Sequence, residues 1–265
     1  MEFRTIVDIP KPAFEIQPCE QMLFVGSCFA NSIGQRFKEE GFPVVVNPYG
    51  TMYNPVSILH TIQKCEVHPR IVFLTLGTNH VYRLKKTGEI VDNCEKRPQS
   101  LFQEEELSIR ECADHLQQAV NLLKQRNPDV HVIFTVSPIR YRKYGYHESQ
   151  LSKATLLLAI DTIAATDTIV YFPAYEIIMD ELRDYRFYAT DMLHPSEQAV
   201  EYIWERLRDH YFSKETKAFL EEWRPLKQAL AHRPFNPDSG EYQVLMDKTM
   251  LKVAELRKKY TTFAL

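Results

Sequence analysis

Glycine is scarce, with eight residues in 265, where about 7% is ordinary. A chain this poor in glycine keeps it where the backbone demands it. Three of the eight, Gly26, Gly50 and Gly77, fall at or just after the ends of short apolar runs. Cysteine is sparse too: Cys19, Cys28, Cys65, Cys94 and Cys112 are odd in number and widely scattered, with no C-x-x-C pair. That argues against a disulfide framework or a structural zinc site and for a reducing compartment. No apolar run approaches the roughly 20 residues a spanning helix needs. The opening Met-Glu-Phe-Arg-Thr has neither the basic start nor the apolar stretch of a secretory signal. The expectation is a cytoplasmic protein with no membrane partner. A net charge of −3 gives no electrostatic ground for binding nucleic acid. Neither G-x-x-x-x-G-K-S/T nor G-x-G-x-x-G occurs, so no nucleotide cofactor is expected. Asp180 and Asp184 stand without a His/Asp cluster of metal-ligand spacing, so no metal is expected.

Ordinary hydrophobic (45%) and charged (25%) contents fit one large globular unit with its own core. Short apolar runs recur at Met22–Val25, Pro43–Val46, Ile71–Leu76, Val130–Val136 and Thr168–Phe172. Between them lie segments of helical spacing: Asn31–Glu40, one opening at Asn54-Pro55, Glu104–Arg126, and Glu148–Ala165 with Leu156, Ile160 and Ile163 on one face. Strands alternating with helices predict βαβ units and a mostly parallel sheet covered on both faces, with ligands gathered at the strands' carboxyl ends. The long connection 77–103 holds Thr87-Gly88 between Leu84 and Ile90-Val91, a candidate hairpin. Ser196–Phe212 is amphipathic. The helical pattern then continues to His232, breaks over Arg233–Asp238, and resumes through Val253 and Leu256. The expected division is an α/β domain over 1–212 and a helical extension over 213–265 packed on it.

The apolar run Met22–Val25 leads into Gly26-Ser27 and a helix. This places the Ser27 hydroxyl at a strand's carboxyl end and its neighbours' N–H groups at a helix N-terminus, where negative charge is favoured. Serine is also a preferred N-cap there. A serine nucleophile needs a base, and the base needs a carboxylate to fix its tautomer. Asp191-Met-Leu-His194 supplies that pair after the last strand, although His194-Pro195-Ser196 also reads as a helix entrance. Donors for an oxyanion are the N–H of Ser27 or Cys28, the N–H of Gly50, and the side-chain amide of Asn79, which follows Ile71–Leu76. His80 shares that strand-end loop, while Arg97 and Arg140 are candidate contacts for an anionic substrate group. Cys28 sits where a helix N-terminus can lower a thiol pKa, but it reads first as a small buried residue packing the turn.

Gly26-Ser27-Cys28-Phe29-Ala30 is letter for letter the motif of the GSCFA domain family. The resemblance extends through Asn47-Pro-Tyr-Gly-Thr51, Leu74-Thr-Leu-Gly-Thr78, Asn93-Cys94, Ser137-Pro138, Ser152-Lys-Ala154, Tyr171-Phe-Pro-Ala-Tyr175 and Leu182–Tyr188 to Asp191 and His194. That family is in turn similar to SGNH/GDSL hydrolases. The resemblance implies a three-layer α/β/α sandwich with a mostly parallel five-stranded sheet, of the SGNH-hydrolase or flavodoxin-like type, plus C-terminal helices. It further implies Ser27 as nucleophile, Asp191 and His194 completing a triad, and Gly50 and Asn79 helping the oxyanion hole. Two departures stand out: Val25-Gly-Ser-Cys28 replaces Gly-Asp-Ser-Leu, and His80 stands where the third block usually carries Asp.

The function expected is a serine esterase cleaving an acyl or acetyl ester on a carbohydrate or small metabolite. An O-acyltransferase with the same triad and a non-catalytic carbohydrate- or protein-binding module are the alternatives. The sequence leaves oligomeric state open.

Overall fold

The computed structural model of the protein describes residues 3–95, 97–164, 167–236 and 239–265. Ala165, the expected end of one helix, and Asp238, the expected end of the break, lie outside them. The elements in chain order are β1 (Met22–Gly26), α1 (Cys28–Glu39), β2 (Val44–Val46), α2 (Pro55–Lys64), β3 (Ile71–Leu76), β4 (His80–Leu84), β5 (Ile90–Val91), β6 (Phe102–Glu106) and α3 (Ile109–Arg126). There follow β7 (His131–Val136), α4 (Tyr146–Ile163), β8 (Ile169–Tyr171), the single turn α5 (Ala174–Glu176), α6 (Glu197–Tyr211), α7 (Lys214–Ala231) and α8 (Gly240–Lys259).

Five strands form one parallel sheet in the order β2-β1-β3-β7-β8, with Gly26 of β1 paired to Thr75 of β3. Successive strand residues face opposite sides. Phe24, Phe73 and Ile133 pack with Ile33 and Phe37 of α1 and Ile203 and Trp204 of α6. Leu23, Leu74 and Phe134 pack on the other face with Ile58, Leu116, Val120, Leu156 and Ile160 from α2, α3 and α4. The result is the expected three-layer sandwich. From β1 the chain steps to β2 on one side and returns to β3 on the other. The carboxyl ends of β1 and β3 therefore flank the point where strand order reverses, which is where such sheets open a crevice.

Helix starts follow local chemistry. Asn54 Oδ1 accepts the Ser57 N–H at 2.9 Å ahead of Pro55 at the first helical position. Ser108 and Glu111 close a capping box at the start of α3. That box corrects the expectation of a helix from Glu104. Residues 102–106 are instead a strand, antiparallel to β4, in a second sheet of order β5-β4-β6. The Gln-Glu-Glu-Glu run has helix-forming side chains, but cross-strand partners hold it extended: Arg83 donates from Nε to Glu105 at 3.1 Å and the Tyr82 hydroxyl to Glu104 at 2.8 Å. The Leu84–Val91 hairpin is present, turning at Gly88 with φ +76°.

Beyond residue 212, α7 and α8 share the core of the α1 face through Phe219, Trp223, Val253 and Phe263. Trp223 Nε1 donates to Glu39 O at 3.2 Å and the Ala264 N–H to Gly41 O at 2.9 Å. Among the described residues, no helix is long and apolar enough to cross a membrane.

Candidate active site

The turn leaving β1 is built by contact with β3. A Cβ on Gly26 would lie 2.1 Å from Thr75 O, and the residue adopts φ +145°, so only glycine fits. Its N–H donates to Asn47 Oδ1 at 2.8 Å and its carbonyl accepts the Met52 N–H at 2.9 Å. Ser27 is 1% exposed. Its N–H donates to Thr75 O at 3.0 Å, and its hydroxyl caps α1 by accepting the Phe29 N–H at 3.3 Å. Cys28, the first residue of α1, is half-buried. Burial pushes its thiol pKa up, against the N–H groups of Cys28 and Phe29 and the Lys153 ammonium, while the Asp191 carboxylate adds to the rise. Tyr53 lies close enough for its own pKa to be raised by burial and then by Cys28.

The loop after α5 carries Asp191 and His194 as an interlocked pair. His194 Nδ1 lies 2.5 Å from Asp191 Oδ2, and Asp191 Oδ1 accepts the N–H groups of Leu193 at 2.9 Å and His194 at 3.0 Å. A carboxylate that only accepts puts the proton on Nδ1 and leaves Nε2 as the basic nitrogen. The backbone N–H groups of His194 and Leu193, then the imidazole, hold Asp191 down at about 2. Arg140 fixes this loop from outside. Its N–H donates to Leu193 O and its Nη1 to Met192 O, both at 3.0 Å, and its guanidinium rests 4.4 Å from the Tyr146 ring.

At the ends of β3 and β7, α4 reaches in with Ser152 and Lys153. Ser152 Oγ accepts the Asn79 N–H at 3.0 Å. Lys153, 3% exposed, donates from Nζ to Gly77 O and Ser137 O, each at 2.8 Å. Burial lowers its pKa to about 7, with the Cys28 thiolate acting in the opposite direction. The sequence reading passed over Lys153, although a signal was present: it lies three residues before Leu156, on the helix face that is otherwise apolar.

The expected oxyanion donors are not all free. The Ser27 N–H is committed to Thr75, and the Gly50 N–H donates to Asn47 O at 2.9 Å within its own turn. Asn79, 3% exposed, gives an amide hydrogen to Leu107 O at 2.8 Å. Cys28 keeps an N–H that no protein oxygen accepts among the described residues, as expected at a helix N-terminus.

The three residues expected to contact substrate lie in three cavities. Arg97 lines one of about 740 Å³ with His60, Arg83 and Asp92. His80 lines one of about 480 Å³ with Glu104, Glu106 and Tyr144, and burial lowers its pKa. Arg140 lines one of about 240 Å³ with Tyr185 and Tyr188. Only Arg140 adjoins the Asp191–His194 loop.

Among solved structures, a GDSL-like lipase candidate from Parabacteroides merdae is similar at 8% identity, covering 76% of this chain and 99% of that one with a TM-score of 0.50. A catalytic mutant of an acetylxylan esterase from Geobacillus stearothermophilus is similar at 14% identity, with coverage of 76% and 98% and a TM-score of 0.46. The first of these likenesses shows a shared SGNH/GDSL-like fold. Comparison with curated proteins gives no match. The GSCFA family model matches residues 21–69 and 66–207. The chain belongs to the GSCFA family. Residues 223–265 match the GSCFA domain protein, C-terminal domain, which takes in the latter part of α7 and all of α8.

Proposed function

We propose that this protein cleaves an acyl ester at the carboxyl edge of its sheet, with His194 as general base and Asp191 as the group that orients it. The observation carrying the reading is the 2.5 Å contact between His194 Nδ1 and Asp191 Oδ2, on a loop whose carboxylate is within electrostatic reach of Cys28. His194 Nε2 takes the proton of a nucleophile on the Gly26-Ser27-Cys28 turn, which attacks the acyl carbonyl. The developing oxyanion is met by the N-terminus of α1, where no protein oxygen accepts the Cys28 N–H among the described residues. His194 then protonates the departing alcohol and activates the water that releases the acid. The exposed rings of Tyr146 and Tyr185 beside Arg140 favour a carbohydrate or other small polar alcohol as the leaving part, since flat apolar faces suit sugar rings.

General acid–base catalysis contributes about 10²–10⁴-fold. A panel of p-nitrophenyl esters should therefore be turned over by the wild type and at least about 100-fold more slowly by His194→Ala. Equal rates in the two proteins would remove His194 from the reaction.

A further inference from the structure

Neighbouring residues of the β1–α1 turn differ in exposure. Ser27 points into the protein: it is 1% exposed, its hydroxyl is spent on capping α1, and its N–H is bonded to the central strand. A nucleophile so placed would have to leave its cap and displace strand packing to reach a substrate. Cys28, one residue on, is half-buried and carries an N–H that no protein oxygen accepts among the described residues. Charged groups from two further parts of the chain act on its sulfur, Lys153 from α4 and Asp191 from the loop before α6, and the sulfur in turn acts on Tyr53 from the loop after β2.

Lys153 makes this convergence informative. A fully buried ammonium is costly unless it is compensated. Two of its hydrogens go to neutral carbonyls, and no carboxylate pairs with it among the described residues. The Tyr175 ring lies 5.9 Å from its Nζ, and its charge is within electrostatic reach of the Cys28 sulfur.

We propose that Cys28 is the nucleophile of this site and that Ser27 is the cap holding the turn. The proposal rests on the acyl-ester reading above. The Sγ–H proton passes to His194 Nε2 and the sulfur bonds to the acyl carbon. The carbonyl π electrons move onto oxygen and return as the C–O bond to the alcohol breaks, the alkoxide taking its proton from His194. The product is a thioester on Cys28. Water, giving its proton to His194, attacks the thioester carbon and expels the thiolate, which recovers the proton. No oxidant or reductant takes part.

The test combines turnover of p-nitrophenyl acetate with acid-quenched mass mapping of the acylated peptide. Wild type, Ser27→Ala, Cys28→Ala, Cys28→Ser and His194→Ala are compared. The expected label is one acetyl on Cys28, released by neutral hydroxylamine as a thioester is. Cys28→Ala should lose about 100-fold or more in turnover, by the scale of a missing catalytic group. Ser27→Ala should lose the α1 cap, read as a lower melting temperature, and still acylate at Cys28. Cys28→Ser, which keeps shape and cap, guards against misfolding: slow turnover with its circular dichroism retained supports the proposal. Acetyl on Ser27, or full turnover by Cys28→Ala, overturns the proposal while leaving the esterase reading intact. Wild-type turnover no faster than His194→Ala overturns the esterase reading itself.

Discussion

Lys153 provides a quantitative test of how the sheet edge is built. Buried between Gly77 O and Ser137 O, it has its pKa lowered from 10.5 to about 7 by burial. The folded protein therefore binds fewer protons at this site than the unfolded chain between pH 7 and 10.5, and stability must rise with pH across that window. Below pH 7 both states hold the proton and the cost of the buried charge is felt in full. At 1.36 kcal/mol per pH unit, the two units from pH 7 to 9 amount to about 3 kcal/mol. Lys153→Met keeps the chain length but cannot titrate. It also leaves two carbonyls unpaired, a pH-independent cost of about 1–3 kcal/mol each. Urea denaturation of both proteins at pH 6, 7, 8 and 9, with m-values checked for constancy, isolates the titrating part. Wild-type stability relative to Lys153→Met should climb by about 3 kcal/mol from pH 6 to pH 9. A flat difference, or one that falls with pH, would refute the reasoning.

Other positions give sharper yes-or-no outcomes. Gly26→Ala puts a methyl 2.1 Å from Thr75 O at φ +145°, and should cost at least about 3 kcal/mol by overpacking and backbone strain, read as a lower urea midpoint. Asp191→Asn should reduce kcat/KM by about 10²–10⁴ with a melting temperature close to wild type, because the pair is solvent-exposed. A collapse in stability would instead mark a structural loop. Trp223→Ala should cost about 3–5 kcal/mol and shift a single cooperative transition, since Trp223 shares the core of the α1 face. Two separate transitions would show that the C-terminal helices fold as a unit apart.

The parallel sheet was legible because its central strands β1, β3 and β7 are buried on both faces and read as apolar runs, as in Ile71–Leu76. The Asp191–His194 pair was legible because a three-residue spacing in a loop lets the carboxylate meet both backbone and ring. Strand β6 was not, because helix propensity in Glu104–Glu106 is a weak local preference and its opponents, Arg83 and Tyr82, lie some 20 residues earlier in the chain. The committed N–H of Ser27 was hidden for the same reason, since Thr75 takes it only once the fold has closed. Which of Ser27 and Cys28 faces solvent depends on where the strand ends and the helix begins. One residue of phase decides that, and local spacing does not resolve it.

Rapid mixing with p-nitrophenyl acetate tests the joint claim of a covalent site worked by His194. A burst of about one nitrophenolate per chain before steady turnover, present in the wild type and absent in His194→Ala, is what the account predicts. Release that is linear from the first milliseconds and equal in both proteins would contradict it.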